Sequence, residues 1–232
     1  MSNPPTLSSE DLAALREVTS PTICNAIETF KIRDRATGFM GPEIKCIFPD
    51  LGTLVGYACT AVIGARAAEV SKPGAPMMEL WKHVASIPEP RILVVHDVDY
   101  PSPIGSFWGE VNGNIFRAQG VAGTITDGGV RDLDEVRAMG FYYFASTVLV
   151  SHANLRLIDV GVPVEVGGLS VSPGDLLHAD KHGVTNIPLD IATQIPGAAG
   201  QVEEMERKII QLCQSDEFST DKLIEMFGGG HR

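Results

Sequence analysis

The segment that most constrains this chain is Arg91-Ile-Leu-Val-Val-His-Asp97, a compact apolar run that ends abruptly in polar residues. A run with no polar alternation is what a strand buried on both faces looks like, and strands of that kind belong mainly to parallel sheets covered by further layers. The continuation agrees. Phe107 to Gln119 is patterned as a helix stopping at Gly120, and Gly123 to Asp127 reads as a strand followed by a turn at Gly128-Gly129. Leu133 to Met139 is a short helix closed by Gly140, and Phe141 to Ala145 a further strand. Strand, helix, strand, helix, strand calls for right-handed crossovers and a parallel sheet.

The flanks differ in texture. Ser8-Ser-Glu-Asp11 opens an amphipathic helix, and Ser20-Pro21 looks like a second cap with proline at the first helical position. Lys31 to Gly52 is irregular, Leu54 to Ile63 is β-branched enough for a strand, and Met77 to Ala85 is helical. After Gly161, Val162 to Val166, Leu169 to Val171, Leu176 to Ala179 and Val184 to Ile187 are short strands between turn residues, an antiparallel or mixed β section. Pro188 to Ile195 and Ala199 to Cys213 give two helices, and Phe227 to Arg232 reads as a frayed tail. With 232 residues and 44% hydrophobic content the chain can bury a sizeable core, expected to be a single domain over 1–232 with N-terminal helices in 1–30 and a C-terminal helix and tail in 199–232.

Charge and cysteines exclude several classes. A net charge of -11 leaves no clustered cations to neutralise phosphates, so no nucleic acid partner is expected. The four cysteines lie far apart without a C-x-x-C pair, which fits reduced thiols in a cytoplasm. Met1-Ser-Asn-Pro-Pro5 lacks the marks of a signal peptide, and no apolar stretch approaches the ~20 residues needed to cross a bilayer. No membrane association is expected.

If the strands ending at Asp97 and Asp127 are parallel neighbours, residues just beyond them share one sheet edge, where open α/β folds bind ligands. Glu110, at the start of the intervening helix, and Arg131-Asp132, after the second strand, then converge. Backbone N–H groups of Gly109 to Asn112 would face the same crevice and favour an anion, and an arginine offers a two-pronged donor to a carboxylate. Carboxylates beside it would repel that anion unless Mg²⁺ or Mn²⁺ bridged protein, water and ligand oxygens. The pattern suits a metal-assisted site for a small oxo-acid.

Each residue also has a plainer reading. Asp132-x-x-Glu135 is a reasonable capping box, Arg131 a surface ion-pair residue, and Glu110 a favourable charge at a helix start. The cluster His96, Asp97, Asp99, Tyr100 is a second candidate for the crevice, although a histidine there is more often a hydrogen-bonded structural residue. His178, Asp180 and His182 fit a tight β connection better than a metal site, and nothing apolar surrounds Lys181 to make it a Schiff-base lysine. No dinucleotide, P-loop or serine-hydrolase motif is present.

Gly109-Glu-Val-Asn112, Gly120 to Asp132 with its Asp127-Gly-Gly-Val-Arg-Asp132 run, and Val171-Ser-Pro-Gly-Asp175 through Pro188 together resemble the RraA-like family. That family includes the 4-hydroxy-4-methyl-2-oxoglutarate/4-carboxy-4-hydroxy-2-oxoadipate aldolases. The resemblance covers roughly Ser20 to Val202. It implies an α/β, layered β/β/α fold of the swivelling-domain type with parallel βαβ units, assembled as a homotrimer or homohexamer. Carried over by motif, Gly109, Glu110, Val111 and Asn112 bind the pyruvyl end, Arg131 holds its carboxylate or oxo oxygen, Asp132 binds the metal, and Glu135 serves the outer metal shell. Glu110 stands where aldolase members carry an acid acting through metal-bound water. Here the chain departs from the pattern, with Glu for Asp and Gly-Glu-Val-Asn where relatives often show Gly-Asp-Asn-Leu. The longer side chain, with Trp108 beside it, bears on the substrate's distal half.

The implied activity is cleavage of a 4-hydroxy-2-oxo acid to pyruvate, with oxaloacetate decarboxylation through the same enolate. Alternatives are a non-catalytic regulator that binds a ribonuclease, or a lyase for a sugar-derived hydroxy-oxo acid. A methyltransferase ranks third, because no glycine-rich adenosyl loop is present.

Overall fold

A computed structural model describes residues 6–66 and 75–228. Met1 to Pro5 and the end of the tail beyond Gly228 lie outside the described residues. The strands are β1 (Lys45–Cys46), β2 (Leu54–Gly64), β3 (Arg91–Asp97), β4 (Ser106–Trp108), β5 (Val121–Val130), β6 (Tyr142–Val148), β7 (Arg156–Val160), β8 (Val164–Val166), β9 (Leu169–Val171), β10 (Leu176–Asp180) and β11 (Gly183–Ile187). The helices are α1 (Ser9–Arg16), α2 (Ser20–Thr29), α3 (Met77–Ser86), α4 (Glu110–Arg117), α5 (Leu133–Ala138), α6 (Ile195–Gln214) and α7 (Thr220–Gly228).

One mixed sheet runs in the order β1-β6-β5-β3-β2-β10-β11, with β4 beside β5 and β7 beside β2. The centre is parallel: β2 pairs β3, β3 pairs β5, and β5 pairs β6. The condition for a shared edge at Asp97 and Asp127 is therefore met. Leu93, Val95, Tyr143 and Val130 join the core beneath the helices, while Ile92, Val94, Ile125 and Phe144 pack on the other face with Val164, Val166, Leu169 and Val171 of the separate β8–β9 hairpin. Two apolar faces explain why β3 shows no alternation. Hairpin, sheet and helices form the β/β/α layering.

Local chemistry sets the ends. Ser8 and Asp11 form a reciprocal capping box for α1. For α2 the cap is Thr19 rather than Ser20, because the Ser20 hydroxyl is bound to His178 Nδ1 (2.9 Å) and its N–H donates to Asp180 (2.9 Å). His178 Nε2 lies 3.1 Å from the Leu15 carbonyl and 2.9 Å from that of Val18. This histidine ties the α1–α2 corner to β10 and is held neutral by burial, its pKa lowered. Asp180, His182 and the exposed Lys181 belong to the tight β10–β11 connection.

Several boundaries depart from the sequence pattern. Gly128 and Gly129 are not a turn: β5 continues to Val130, and Gly129 pairs both Ser106 and Thr147. The glycines serve close packing there, since a Cβ on Gly129 would sit 2.4 Å from Leu149. Ser106 to Trp108 form β4 instead of the start of a helix, because β5 outruns β3 and its open edge takes up a short parallel strand. Residues 188–194 hold only a 3-10 turn, Ala192–Gln194, before a continuous 20-residue α6, and Phe227 and Gly228 belong to α7 rather than opening a frayed tail. The short β1 and β7 were not visible in the pattern; both are set by their partners, β6 and β2.

Candidate functional site

The register of β4 on β5 builds the site. Trp108 lies opposite Val130 in parallel pairing, so Gly109 falls beside Arg131 and Glu110 beside Asp132. Asp132 Oδ2 accepts a hydrogen bond from the Glu110 backbone N–H at 2.9 Å. A Cβ on Gly109 would come within 2.5 Å of that carboxylate and 3.2 Å of Arg131 Nε, so only glycine admits both side chains.

Asp132 adopts left-handed backbone angles, φ 55° and ψ 51°, and makes no side-chain cap on its own helix. The capping-box reading of Asp132 and Glu135 therefore fails. An N-cap is normally extended, whereas this conformation turns the carboxylate away from α5 and onto the first turn of α4. It also means that the Glu110 N–H is not free to meet a ligand. Helix geometry leaves the N–H groups of Val111 and Asn112 as the first-turn donors without intrahelical acceptors.

Arg131 and the start of α4 line an open cavity of about 250 Å³, together with Ser106, Phe107, Met77, His152 and Leu155. Gly109, Val111 and Asn112 contribute its α4 side. Asn112 Nδ2 donates to the Phe107 carbonyl (2.6 Å), which fixes its amide and leaves the side-chain oxygen as an acceptor. Arg131 Nη1 stands 3.9 Å from Asp132 Oδ1, while its Nε is buried without a hydrogen-bond partner. That nitrogen is sealed from solvent beneath Gly109, so an anion in the cavity would meet the rest of the guanidinium, in a side chain that is 35% exposed.

Glu110 is exposed beside this cavity, and Glu135 is exposed in the first turn of α5. Among the described residues there is no group of three or more His, Cys, Asp or Glu side chains placed to hold a metal ion. Trp108 is fully buried, packed against Phe107, Phe116, Phe141 and Tyr143, so it supports the floor of the site and does not face a substrate. Sequence reasoning passed over Met77, Ser106, Phe107, His152 and Leu155. The last two come from the loop between β6 and β7, where no motif announces them.

The cluster at the end of β3 goes elsewhere. His96 Nδ1 meets Asp127 Oδ2 at 2.6 Å, the Asp97 N–H donates to Asp127 Oδ1, and the Asp99 N–H donates to Asp97. Asp99 in turn accepts from the backbone of Ala65 and Arg66. Burial pushes the Asp97 carboxyl up to about 6, and the hydrogen bond to Asp127 raises His96. A larger recess, about 450 Å³, is lined by Glu43, Tyr100, Pro101, Ser146 and Thr147; its charged group has the wrong sign for an oxo-acid.

The RraA-like family model (Aldolase/RraA) matches residues 20–185. This chain belongs to the RraA-like family. It is 33% identical over 103 residues, 44% of its length, to an uncharacterized protein of Methanocaldococcus jannaschii. It is 36% identical over 70 residues, 30% of its length, to a Halalkalibacterium halodurans protein named "Putative 4-hydroxy-4-methyl-2-oxoglutarate aldolase". These matches span 50% and 33% of the two relatives. The crystal structure of Streptomyces coelicolor RraAS2, an unusual member of the RNase ES inhibitor RraA protein family, superposes with a TM-score of 0.68 at 25% identity, covering 89% of this chain and 97% of that one. The fold is thus shared with that structure over most of the chain.

Proposed function

We propose that this protein is a carbon–carbon lyase that cleaves a 4-hydroxy-2-oxo acid to pyruvate by retro-aldol chemistry and decarboxylates oxaloacetate through the same enolate. The observation that carries this is the cavity itself: Arg131 and the Gly109–Asn112 segment share one small opening, and Asp132 is bound to the first turn of α4 beside them. Arg131 binds the substrate carboxylate or oxo oxygen and stabilises the negative charge that develops on the enolate. The first turn of α4 supports the pyruvyl end, and Met77 and Leu155 form an apolar wall for the remainder. Those walls favour a short aliphatic acid over a polyhydroxylated sugar acid.

One carboxylate oxygen of Asp132 is engaged by Glu110 N–H, and the other keeps its lone pairs. That donor set fits Mg²⁺ or Mn²⁺, which retain several waters and are often held by one or two carboxylates plus the substrate. Asp132 would hold the ion, Glu110 and Glu135 would serve it through water, and it would supply polarisation of the substrate's C2 oxo group. A homotrimer or homohexamer is the assembly proposed, in a cytoplasmic setting; among the described residues no helix is long and apolar enough to cross a membrane.

The test is pyruvate release by the purified protein from 4-hydroxy-4-methyl-2-oxoglutarate and from oxaloacetate, with Mg²⁺ or Mn²⁺ and again with EDTA. Turnover that depends on the ion supports the reading, and no turnover of either compound ends it. A second reading, a regulator that binds a ribonuclease, is favoured by the similarity to RraAS2 over most of the chain. Capture of a ribonuclease by a protein inert toward both oxo-acids would put that reading first.

A further inference from the structure

The cavity beside Arg131 has a wall that the lyase reading above leaves without a task. It comes from the loop after β6, and its polar member is His152. This loop is held in place. Ser106 N–H donates to the Ser151 carbonyl (2.9 Å), Ala153 N–H donates to Ser151 Oγ (3.0 Å), and Leu155 N–H donates to the His152 carbonyl (3.2 Å). Gly105 packs so closely that a Cβ there would be 2.6 Å from the His152 carbonyl oxygen, and Ala153 turns through a positive φ of 46°.

The ring is fixed as well. His152 Nδ1 is 2.7 Å from the Ala153 carbonyl oxygen. A carbonyl only accepts, so Nδ1 carries the hydrogen and the neutral ring has its lone pair on Nε2. No carboxylate is among the side chains bordering this opening, where Arg131 supplies the charge and Asn112 and His152 the polar contacts. Glu110, the acid expected from the sequence, lies outside that lining. A retro-aldol cleavage needs a base at the hydroxyl of C4, on the far side of the substrate from the group that holds its carboxylate.

Resting on the lyase reading, we propose that His152 is the catalytic base for the C4 hydroxyl. Nε2 takes the hydroxyl proton as the C3–C4 bond breaks. The oxygen becomes the carbonyl of the departing oxo compound, and the bonding pair stays with C3 as pyruvate enolate. C3 takes its proton from water, and Nε2 gives up its own to the hydroxide left behind, which restores the neutral ring. No other reactant is required. The substrate class follows: an acid with a 2-oxo group to engage Arg131 and a free hydroxyl on C4.

The two substrates of the assay separate this role from a structural one. Decarboxylation of oxaloacetate breaks C3–C4 with no hydroxyl proton to remove. His152→Gln and His152→Ala are therefore expected to lower kcat for 4-hydroxy-4-methyl-2-oxoglutarate by at least ~10²-fold, the usual contribution of a positioned general base, with oxaloacetate turnover little changed. Equal losses on both substrates, or no loss on the hydroxy acid, would overturn the assignment. A wild-type protein that decarboxylates oxaloacetate but leaves the hydroxy acid intact also overturns it while sparing the site; one inert toward both removes the lyase reading and this role together.

Discussion

The ends of β3 and β5 carry two polar clusters a few residues apart, and they differ in kind. At Asp97 and Asp127 the carboxylates turn on neighbouring backbone N–H groups and on His96, and they are buried. At Arg131 and Asp132 the chain has moved past the end of β3, β4 has taken its place, and Arg131 lines an open cavity. Polar residues at strand ends are thus not a functional signal in themselves. The first cluster is buried among the protein's own donors, with Asp97 Oδ2 left without a partner, and the second borders a cavity with room for a ligand.

The sharpest break in that comparison is Arg131→Ala, expected to cut pyruvate release by roughly 10²- to 10³-fold with little change in melting temperature. Asp127→Ala should do the reverse, lowering the melting temperature. Next is Gly109→Ala, whose Cβ displaces Asp132 and crowds Arg131. A loss of roughly 10²-fold is expected for a misplacement of that order, seen in kcat/KM with the fold intact by circular dichroism.

The buried cluster has its own signature in pH. Because the Asp97 pKa is raised to about 6, the folded protein holds that proton more tightly than the unfolded chain. Its contribution to stability is full below about pH 4 and is lost as pH rises through about 6, a change of up to ~3 kcal/mol. Denaturant unfolding of Asp97→Asn should show a flatter pH profile than wild type over that window, and an unchanged slope would mean that the carboxylate is solvated. Raised by Asp127, His96 slopes in the same direction and remains in the variant. The smallest effect expected is from Leu155→Ala at the cavity wall, a few-fold rise in KM with kcat nearly kept.

Much of the fold was legible because its periodicity is simple. The doubly buried β3, the crossover helices and the Gly140 stop follow from apolar runs and helix signals. What was missed depends on partners. Residues 107–108 look helical because Phe107 and Trp108 continue the apolar pattern into Val111 and Ile115, and nothing local says that β5 has an open edge to fill. Gly128-Gly129 carries turn chemistry, yet the neighbours on both sides make it strand. Of the site, Gly109 to Asn112, Arg131 and Asp132 stood out through residue type and spacing. His152 did not, since a histidine in an irregular loop has no periodicity and is distant in the chain from the residues it faces.

The sequence by itself determined the α/β class, the parallel strands and the Arg131-Asp132 pair after β5, because each depends on nearest neighbours along the chain and on the pattern of apolar runs, whereas the β/β/α layering was implied only by the family resemblance. Only the tertiary structure decided that Asp132 caps α4 rather than its own helix, that Trp108 is floor and not wall, and that His152 lines the cavity. Those outcomes depend on strand register and on a left-handed turn, and register is settled by pairing between segments that are remote in sequence.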